Sequence, residues 1–173
     1  MIMSESLKNI KGTQDILFDD NNIWQYLESN IHQFLNKYGF SQIRTPLFEN
    51  TNLFSRSIGS QTDIVSKEMY SWIDQGGNNL TLKPEVTASV VRAYIQHNLG
   101  KKNPINKLYY IDTLFRRERP QKGRYRQFNQ INFENFGSDD FFADIEIICL
   151  ANTLLKKLIP NSHFTLHINT LGA

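Results

Sequence analysis

Residues 114–137 of this 173-residue chain read LFRRERPQKGRYRQFNQINFENFG. Within and just before this stretch, apolar and polar side chains alternate on both sides of a short charged segment. Alternation with a period of two is typical of β-strands. We therefore predict strands at 107–118 and 126–134, joined by a loop into a β-hairpin.

The two faces of this hairpin have different compositions. Alternate residues of a strand share a face, so Tyr109, Ile111 and Phe115 lie on one side with Ile131 and Phe133, and we expect this side to meet a core. The opposite face carries one arginine, two carboxylates, an amide and an aromatic ring. A solvated face more usually carries Thr, Lys and Ser, so this composition favours a binding site, with a solvated face as the alternative. The five residues of this predicted polar face are Arg116, Glu118, Phe128, Gln130 and Glu134.

The segment between the strands is strongly basic. Residues 116–126 contain six Lys or Arg side chains and a single carboxylate, that of Glu118. The planar guanidinium group suits phosphate oxygens, so the loop indicates a polyphosphate or an RNA backbone as ligand. A solvated turn is the alternative, and the neighbouring polar face favours the functional interpretation.

The rest of the chain predicts further helices and strands. Helices and hairpins in mixed order favour an α+β domain with a largely antiparallel mixed sheet flanked by helices. The predicted elements are a helix through Ile23–Tyr38 ended by Gly39, an edge or irregular strand at 40–49, a hairpin of 69–73 and 79–82, a helix from Pro84 to Gly100, a helix at 141–158 and a strand at 163–170.

Composition excludes several classes of protein. The chain has 19 Lys plus Arg against 17 Asp plus Glu, too balanced to indicate a ligand by itself. No apolar run is long enough to cross a bilayer and the N-terminus lacks a signal-peptide core, so we expect a cytoplasmic protein. Cys149 stands alone in an apolar run, which excludes an internal disulfide and predicts a packing role. We expect no metal site, since His163 and His167 would lie about 13 Å apart along a strand.

Three segments carry a resemblance to a known family. Residues 114–137 resemble motif 2 of the class II aminoacyl-tRNA synthetases, and the loop resembles that of the histidyl-tRNA synthetase family. KYGFSQIRTPLFE at 37–49 resembles motif 1, LTLKPEVTASVVRA at 80–93 is similar to the histidine-binding segment, and IKGTQDI at 10–16 matches the start of the family. The resemblance implies that 1–173 is the N-terminal portion of a class II catalytic domain, with motif 1 at about 20–49, the histidine-binding segment at about 80–93 and motif 2 at about 107–137. We expect motif 3 and the anticodon-binding domain to be absent from this stretch.

The resemblance also implies residues that bind ATP. Arg116 would be catalytic, holding the α-phosphate of ATP and the carboxylate of histidine. Glu118 would accept a hydrogen bond from the adenine amino group, Phe128 would stack on the adenine, and Arg124 would reach the γ-phosphate. Mg²⁺ would be bound mainly through the ATP phosphates.

A second set of residues would bind histidine. The α-ammonium would lie against Glu85, Thr87 and Gln130, beside the backbone of Val86, and Glu134 would face the imidazole. Lys83 and Val86 depart from the arginine and glycine usual at these positions, and Asp112-Thr113 replaces a common Gly-Pro pair. Asn129 replaces a common histidine.

The implied function is ATP-dependent activation of histidine to histidyl-adenylate and its transfer to tRNA-His. The resemblance implies a homodimer of the full-length protein through Ile23–Glu49, and we expect the 173-residue piece to be inactive alone. The main alternative is a synthetase-like, non-catalytic regulatory subunit of ATP phosphoribosyltransferase, which has no reason to keep an intact motif 2 loop. A stand-alone RNA-binding module is a third interpretation, based on the basic loop only.

Overall fold

A computed structural model describes residues 7–58 and 68–169. The helices in this part of the chain are α1 (Phe18–Lys37), α2 (Thr51–Ile58), α3 (Thr87–Gln96), α4 (Leu99–Lys102) and α5 (Phe141–Leu158). The strands are β1 (Ser41–Gln42), β2 (Phe48–Asn50), β3 (Tyr70–Ile73), β4 (Asn79–Leu82), β5 (Asn106–Phe115) and β6 (Gln127–Phe136). None of the described helices is long and apolar enough to cross a membrane.

The described strands form two three-stranded sheets. One has the order β1-β5-β6, in which β1 is parallel and β6 antiparallel to β5. The other, β2-β4-β3, is antiparallel throughout. The predicted α+β class with largely antiparallel pairing is therefore confirmed. The edge or irregular strand predicted at 40–49 is two short edge strands, β1 and β2, because the chain passes from one sheet to the other around Pro46, which has no N–H for a ladder hydrogen bond.

One face of the β5–β6 hairpin packs under two helices. Tyr109 of β5 is buried with Ile31 and Leu35 of α1 and with Leu150 and Leu154 of α5, and Ile111, Ile131 and Phe133 pack against this cluster. Each large apolar side chain buried here contributes roughly 1.5–3 kcal/mol to stability. The helix at 141–158 is confirmed, and so is the core face of the hairpin except for Phe115, which is half-buried outside this cluster.

The opposite face of the hairpin is only partly polar. Leu108, Tyr110 and Leu114 are buried there against Val86 and Val90, which lie at and near the start of α3. Phe128 and Phe136 pack against the same cluster. The start of α3 thus covers one part of this face and leaves the remainder for a site.

The ends of several elements differ from the predictions. The helix expected from Pro84 begins only at Thr87. Lys83 still belongs to the sheet region, since its N–H donates to Leu47 O over 3.0 Å. It stops at Gln96 instead of Gly100, since Asn98 takes a left-handed conformation with φ of 52°. β5 ends at Phe115, so Glu118 lies in the loop and not on a strand.

Two predictions near the end of the chain are wrong. Residues 163–169 form no strand, because alternation alone supplies no pairing partner; Thr170 lies outside the described residues. Cys149 is exposed and does not pack. A helix turns by about 100° per residue, so burying Leu150 on α5 rotates the preceding cysteine away from the core.

Candidate active site

Arg116 lies just beyond the end of β5, where the hairpin begins to open. Its N–H donates to Arg126 O over 2.9 Å, which extends the ladder past the strand. The side-chain Nε donates to Pro84 O over 2.9 Å. The guanidinium carbon lies 5.2 Å from the centre of the Phe128 ring, a cation–π contact. Two independent contacts therefore set the direction of this arginine.

A cavity of about 540 Å³ opens beside Arg116. Its volume lies in the range usual for small-molecule sites, about 300–1,000 Å³. Its walls include all four residues predicted to bind ATP: Arg116, Glu118, Arg124 and Phe128. Gln14, Ile16 and Trp24 complete another wall.

The carboxylate of Glu118 lies between two arginines that line this cavity. This carboxylate lies 3.9 Å from Arg116 Nη1 and 3.3 Å from Arg124 Nη1. Arg124 is 63% exposed, so its guanidinium projects into solvent at the mouth of the cavity. This arrangement concentrates positive charge where a polyphosphate could enter.

The loop is anchored by a segment near the N-terminus. Gly12 O accepts hydrogen bonds from Arg126 N–H over 2.7 Å and from Gln127 N–H over 3.2 Å. Gly12 has φ of +91°, and a Cβ there would lie 2.9 Å from side-chain carbons of Arg126 and Pro120. Only glycine therefore fits against the base of the loop.

A second group of polar side chains lies between the start of α3 and β6. Thr87 Oγ1 donates to Glu134 Oε1 over 2.8 Å. The buried Tyr110 hydroxyl lies 3.4 Å from the same carboxylate oxygen and accepts from Asn132 Nδ2 over 2.8 Å. Burial is the main cause that raises the pKa of Tyr110, to about 12, so this hydroxyl keeps its proton at neutral pH.

Glu85 adds a second carboxylate to this group. It accepts the N–H of Ala88 over 3.0 Å, satisfying a free donor at the start of α3. Desolvation, and to a lesser extent the charge of Glu134, raise the pKa of Glu85. No ion pair to Glu85 or Glu134 occurs in the part of the chain that the structure describes. Two partly desolvated carboxylates close together suit a cationic ligand.

The other two residues predicted to bind histidine have different surroundings. The Val86 side chain is 1% exposed within the apolar cluster, so only its backbone could face a ligand. Gln130 pairs with Asp112 in register and shares the face of Glu134. Among the described residues, no hydrogen bond joins Gln130 to Glu85, Thr87 or Glu134. The structure therefore brings Glu85, Thr87 and Glu134 together, and no described contact joins Gln130 to them.

Comparison with known proteins supplies the family. The model of the family described as "Histidyl-tRNA synthetase" matches residues 12–172. The chain belongs to the histidyl-tRNA synthetase family. A curated histidine–tRNA ligase of Desulforapulum autotrophicum is 51% identical over 166 residues, which are 96% of this chain and 39% of that protein. The chain thus spans about two fifths of the length of the curated relatives it matches.

Solved structures agree with this assignment. The apo histidyl-tRNA synthetase of S. aureus superimposes with a TM-score of 0.72 at 37% identity, covering 87% of this chain and 34% of that one. A Bacillus halodurans protein described as an ATP phosphoribosyltransferase regulatory subunit/histidyl-tRNA synthetase gives 0.73 at 25% identity, covering 88% and 38%. The class II fold expected from motif 2 is therefore shown.

Sequence patterns alone miss several neighbours of this candidate site. Tyr110 and Asn132 share the face of Glu134 by simple alternation, which could have placed them in the site. Trp24 belongs to the helix predicted at Ile23–Tyr38 and to the segment expected to form the dimer, yet it lines the cavity. Lys83 and Asp112 look like separate departures from the family pattern, yet the structure joins them in one ion pair.

Proposed function

We propose that the protein to which this chain belongs is a histidine–tRNA ligase, which activates histidine with ATP and transfers it to tRNA-His. The observation that carries the proposal is the proximity of two complementary groups. A cationic cavity with an aromatic ring adjoins Arg116, and a pair of carboxylates with hydroxyl donors lies at the start of α3. Pro84 O, bonded to Arg116, directly precedes Glu85, so the two groups meet.

In the proposed reaction, the carboxylate of histidine attacks the α-phosphorus of ATP. A new P–O bond forms, the bond to the β-phosphate oxygen breaks, and pyrophosphate leaves with its electron pair. Arg116 stabilises the charge that develops on the phosphorus oxygens, and a preorganised donor of this kind is worth about 3 kcal/mol or more. The tRNA then takes the histidyl group and releases AMP.

The remaining ATP contacts follow from the walls of the cavity. Phe128 offers a ring for the adenine, Glu118 an acceptor for the adenine amino group, and Arg124 a cation for the γ-phosphate. Within residues 7–58 and 68–169, no three His, Cys, Asp or Glu side chains come together as metal ligands. Mg²⁺ would be bound mainly through the ATP phosphates, as the family resemblance implies.

The histidine contacts follow from the carboxylate pair. Glu85 and Thr87 suit the α-ammonium group, with Gln130 alongside. Glu134, held by Thr87 and Tyr110 through one oxygen, has its second oxygen for an imidazole N–H. An amino acid of the same shape without such a donor would leave the second oxygen of Glu134 without a hydrogen bond. Binding of that amino acid would therefore be strongly disfavoured.

We also propose that the protein dimerises through Ile23–Glu49 and holds tRNA with its basic loop. Ile23 and Tyr26 on α1 are 66% and 71% exposed, an apolar surface consistent with an interface. Arg117, Arg119 and Lys122 lie on the loop, where they suit RNA phosphates. Sedimentation at micromolar concentration tests the first proposal, and a clean monomer contradicts it.

Histidine-dependent exchange of labelled pyrophosphate into ATP tests the main proposal, using the product of the native gene. We expect exchange with histidine and none with glutamine, and charging of tRNA-His in a second assay. Absence of exchange, together with stimulation of a separate ATP phosphoribosyltransferase, would favour the regulatory-subunit alternative suggested by the Bacillus halodurans structure. Exchange without charging would confine the function to adenylate formation.

A further inference from the structure

A buried ion pair lies behind the candidate site. The Lys83 side chain is completely buried, and its ammonium bonds the carboxylate of Asp112, which is 15% exposed. The same ammonium lies 3.4 Å from Thr45 O. Because the desolvation of a buried pair cancels much of its attraction, such a pair is weak evidence for a stabilising role. Its position calls for another explanation.

The pair completes a two-point attachment of Lys83 to β5. The carbonyl of Lys83 accepts the N–H of Phe115 over 3.0 Å. Its ammonium reaches Asp112, three residues earlier on the same strand. The two backbone bonds of Lys83, to Phe115 and to Leu47, hold the segment between two strands, and the ammonium adds a second attachment to β5 that fixes its direction along that strand.

The residues that follow Lys83 transmit this attachment to the site. Pro84 has a fixed φ near −65°, so little freedom separates it from Lys83. Its carbonyl accepts from Arg116 Nε over 2.9 Å. With Nε engaged, the two terminal nitrogens of Arg116 face Glu118 and the cavity.

We propose that Lys83 and Asp112 are positioning residues for Arg116, holding Pro84 where its carbonyl orients the guanidinium group. Neither side chain lines the ATP cavity, so both act through the backbone of Pro84. The predicted effect on pyrophosphate exchange rests on the proposed function. The predicted effect on the position of Arg116 does not.

The test uses paired substitutions in the product of the native gene. Single substitutions leave one buried charge unpaired and lower stability strongly. The double variant K83M/D112N removes both charges, and the side-chain oxygen of the introduced asparagine can still accept the N–H of Thr113, as Asp112 does over 2.8 Å. The matched control is K107M/E146Q, which removes the 2.6 Å Lys107–Glu146 pair between β5 and α5, away from the cavity.

We expect K83M/D112N to melt close to the wild-type temperature while kcat of pyrophosphate exchange falls by roughly 100-fold, the cost of a displacement of about 1 Å. KM for ATP should change by less than about threefold, because Phe128 and Arg124 are untouched. The control should keep the wild-type kcat. An unchanged kcat in K83M/D112N, or an equal loss in the control, overturns the proposal.

A crystal structure of the double variant gives an answer independent of activity. We expect the Arg116 Nε–Pro84 O distance to exceed hydrogen-bonding range; a bond retained at 2.9 Å overturns the proposal. If the wild type shows no exchange, the proposed function fails while this measurement still decides the positioning role. If the double variant does not fold, D112E replaces it, because it keeps the charge and moves the acceptor. An unchanged kcat in D112E then overturns the proposal.

Discussion

Glu85→Gln should raise the free energy of unfolding of the protein without ligand and weaken its binding of histidine. Glutamine keeps an oxygen that can accept the N–H of Ala88, so the start of α3 keeps its hydrogen bond. The substitution removes only the negative charge of a carboxyl group whose pKa is raised mainly by desolvation and further by Glu134. The two effects of one change therefore have opposite signs.

The sign of the stability effect follows from proton linkage. A carboxyl group whose pKa is raised on folding contributes stability that is present below its unfolded pKa and is lost as the pH rises through its folded pKa. Above that pKa the wild type carries an unfavourable buried charge that the glutamine variant lacks. Because the group is partly exposed, we expect a gain in the free energy of unfolding of no more than about 1 kcal/mol at about pH 7.5. Near pH 4 the two proteins should be equally stable, within error.

The magnitude of the binding effect follows from one hydrogen bond to a charged group. Loss of such a bond to the α-ammonium costs about 1.5–3 kcal/mol. Histidine should therefore bind roughly 10- to 100-fold more weakly.

Calorimetry with histidine from about pH 5 to 8, and thermal unfolding from about pH 4 to 8, measure the two effects. The wild-type affinity should rise with pH relative to that of the variant as Glu85 ionises, and taking the ratio cancels the titration of histidine itself. E146Q is a control that removes a carboxylate remote from the site and should leave histidine affinity unchanged. Wild-type affinity in E85Q, or a ratio that does not change with pH, would refute the role of Glu85.

Three further changes have defined outcomes. Arg116→Ala should lower histidine-dependent pyrophosphate exchange by about 100-fold or more, since a cation at the phosphorus is lost; more than about a tenth of the wild-type rate contradicts this role. Gly12→Ala should weaken ATP binding measured by calorimetry and lower the melting temperature, because its Cβ would meet Arg126 and Pro120 at 2.9 Å; unchanged ATP affinity contradicts the anchoring of the loop. Leu154→Ala should cost about 2–5 kcal/mol in urea unfolding, since this side chain is 5% exposed in the core; a loss below about 1 kcal/mol would mean that the helix is poorly packed.

Local patterns predict the elements that depend on local chemistry. The alternation along 107–134 indicates the hairpin and its core face, because the direction of a strand side chain depends on position alone. The helical stripe at 141–158 predicts α5 with both of its ends. Spacing and family likeness group Arg116, Glu118, Arg124 and Phe128, and all four line one cavity.

Contacts between distant segments cannot be read in this way. Lys83 and Asp112 are 29 residues apart, and no period of a helix or strand relates them. Val86 looks like a residue of the site, but α3 turns its side chain into the core. The alternation of 163–169 predicts a strand, yet a strand also requires a partner, which the sequence does not supply. In each case the missing information is the packing of one element against another.

The double hydrogen bond at Gly12 has a consequence for the order in which this chain is built. The carbonyl of Gly12 accepts hydrogen bonds from the N–H groups of Arg126 and Gln127, which lie more than a hundred residues later in the chain. At a synthesis rate of about 5–20 residues per second, the carbonyl waits roughly 5–20 s for these partners. The cavity therefore closes late during translation. Trp24, in its wall, is a natural fluorophore for following that closure during refolding.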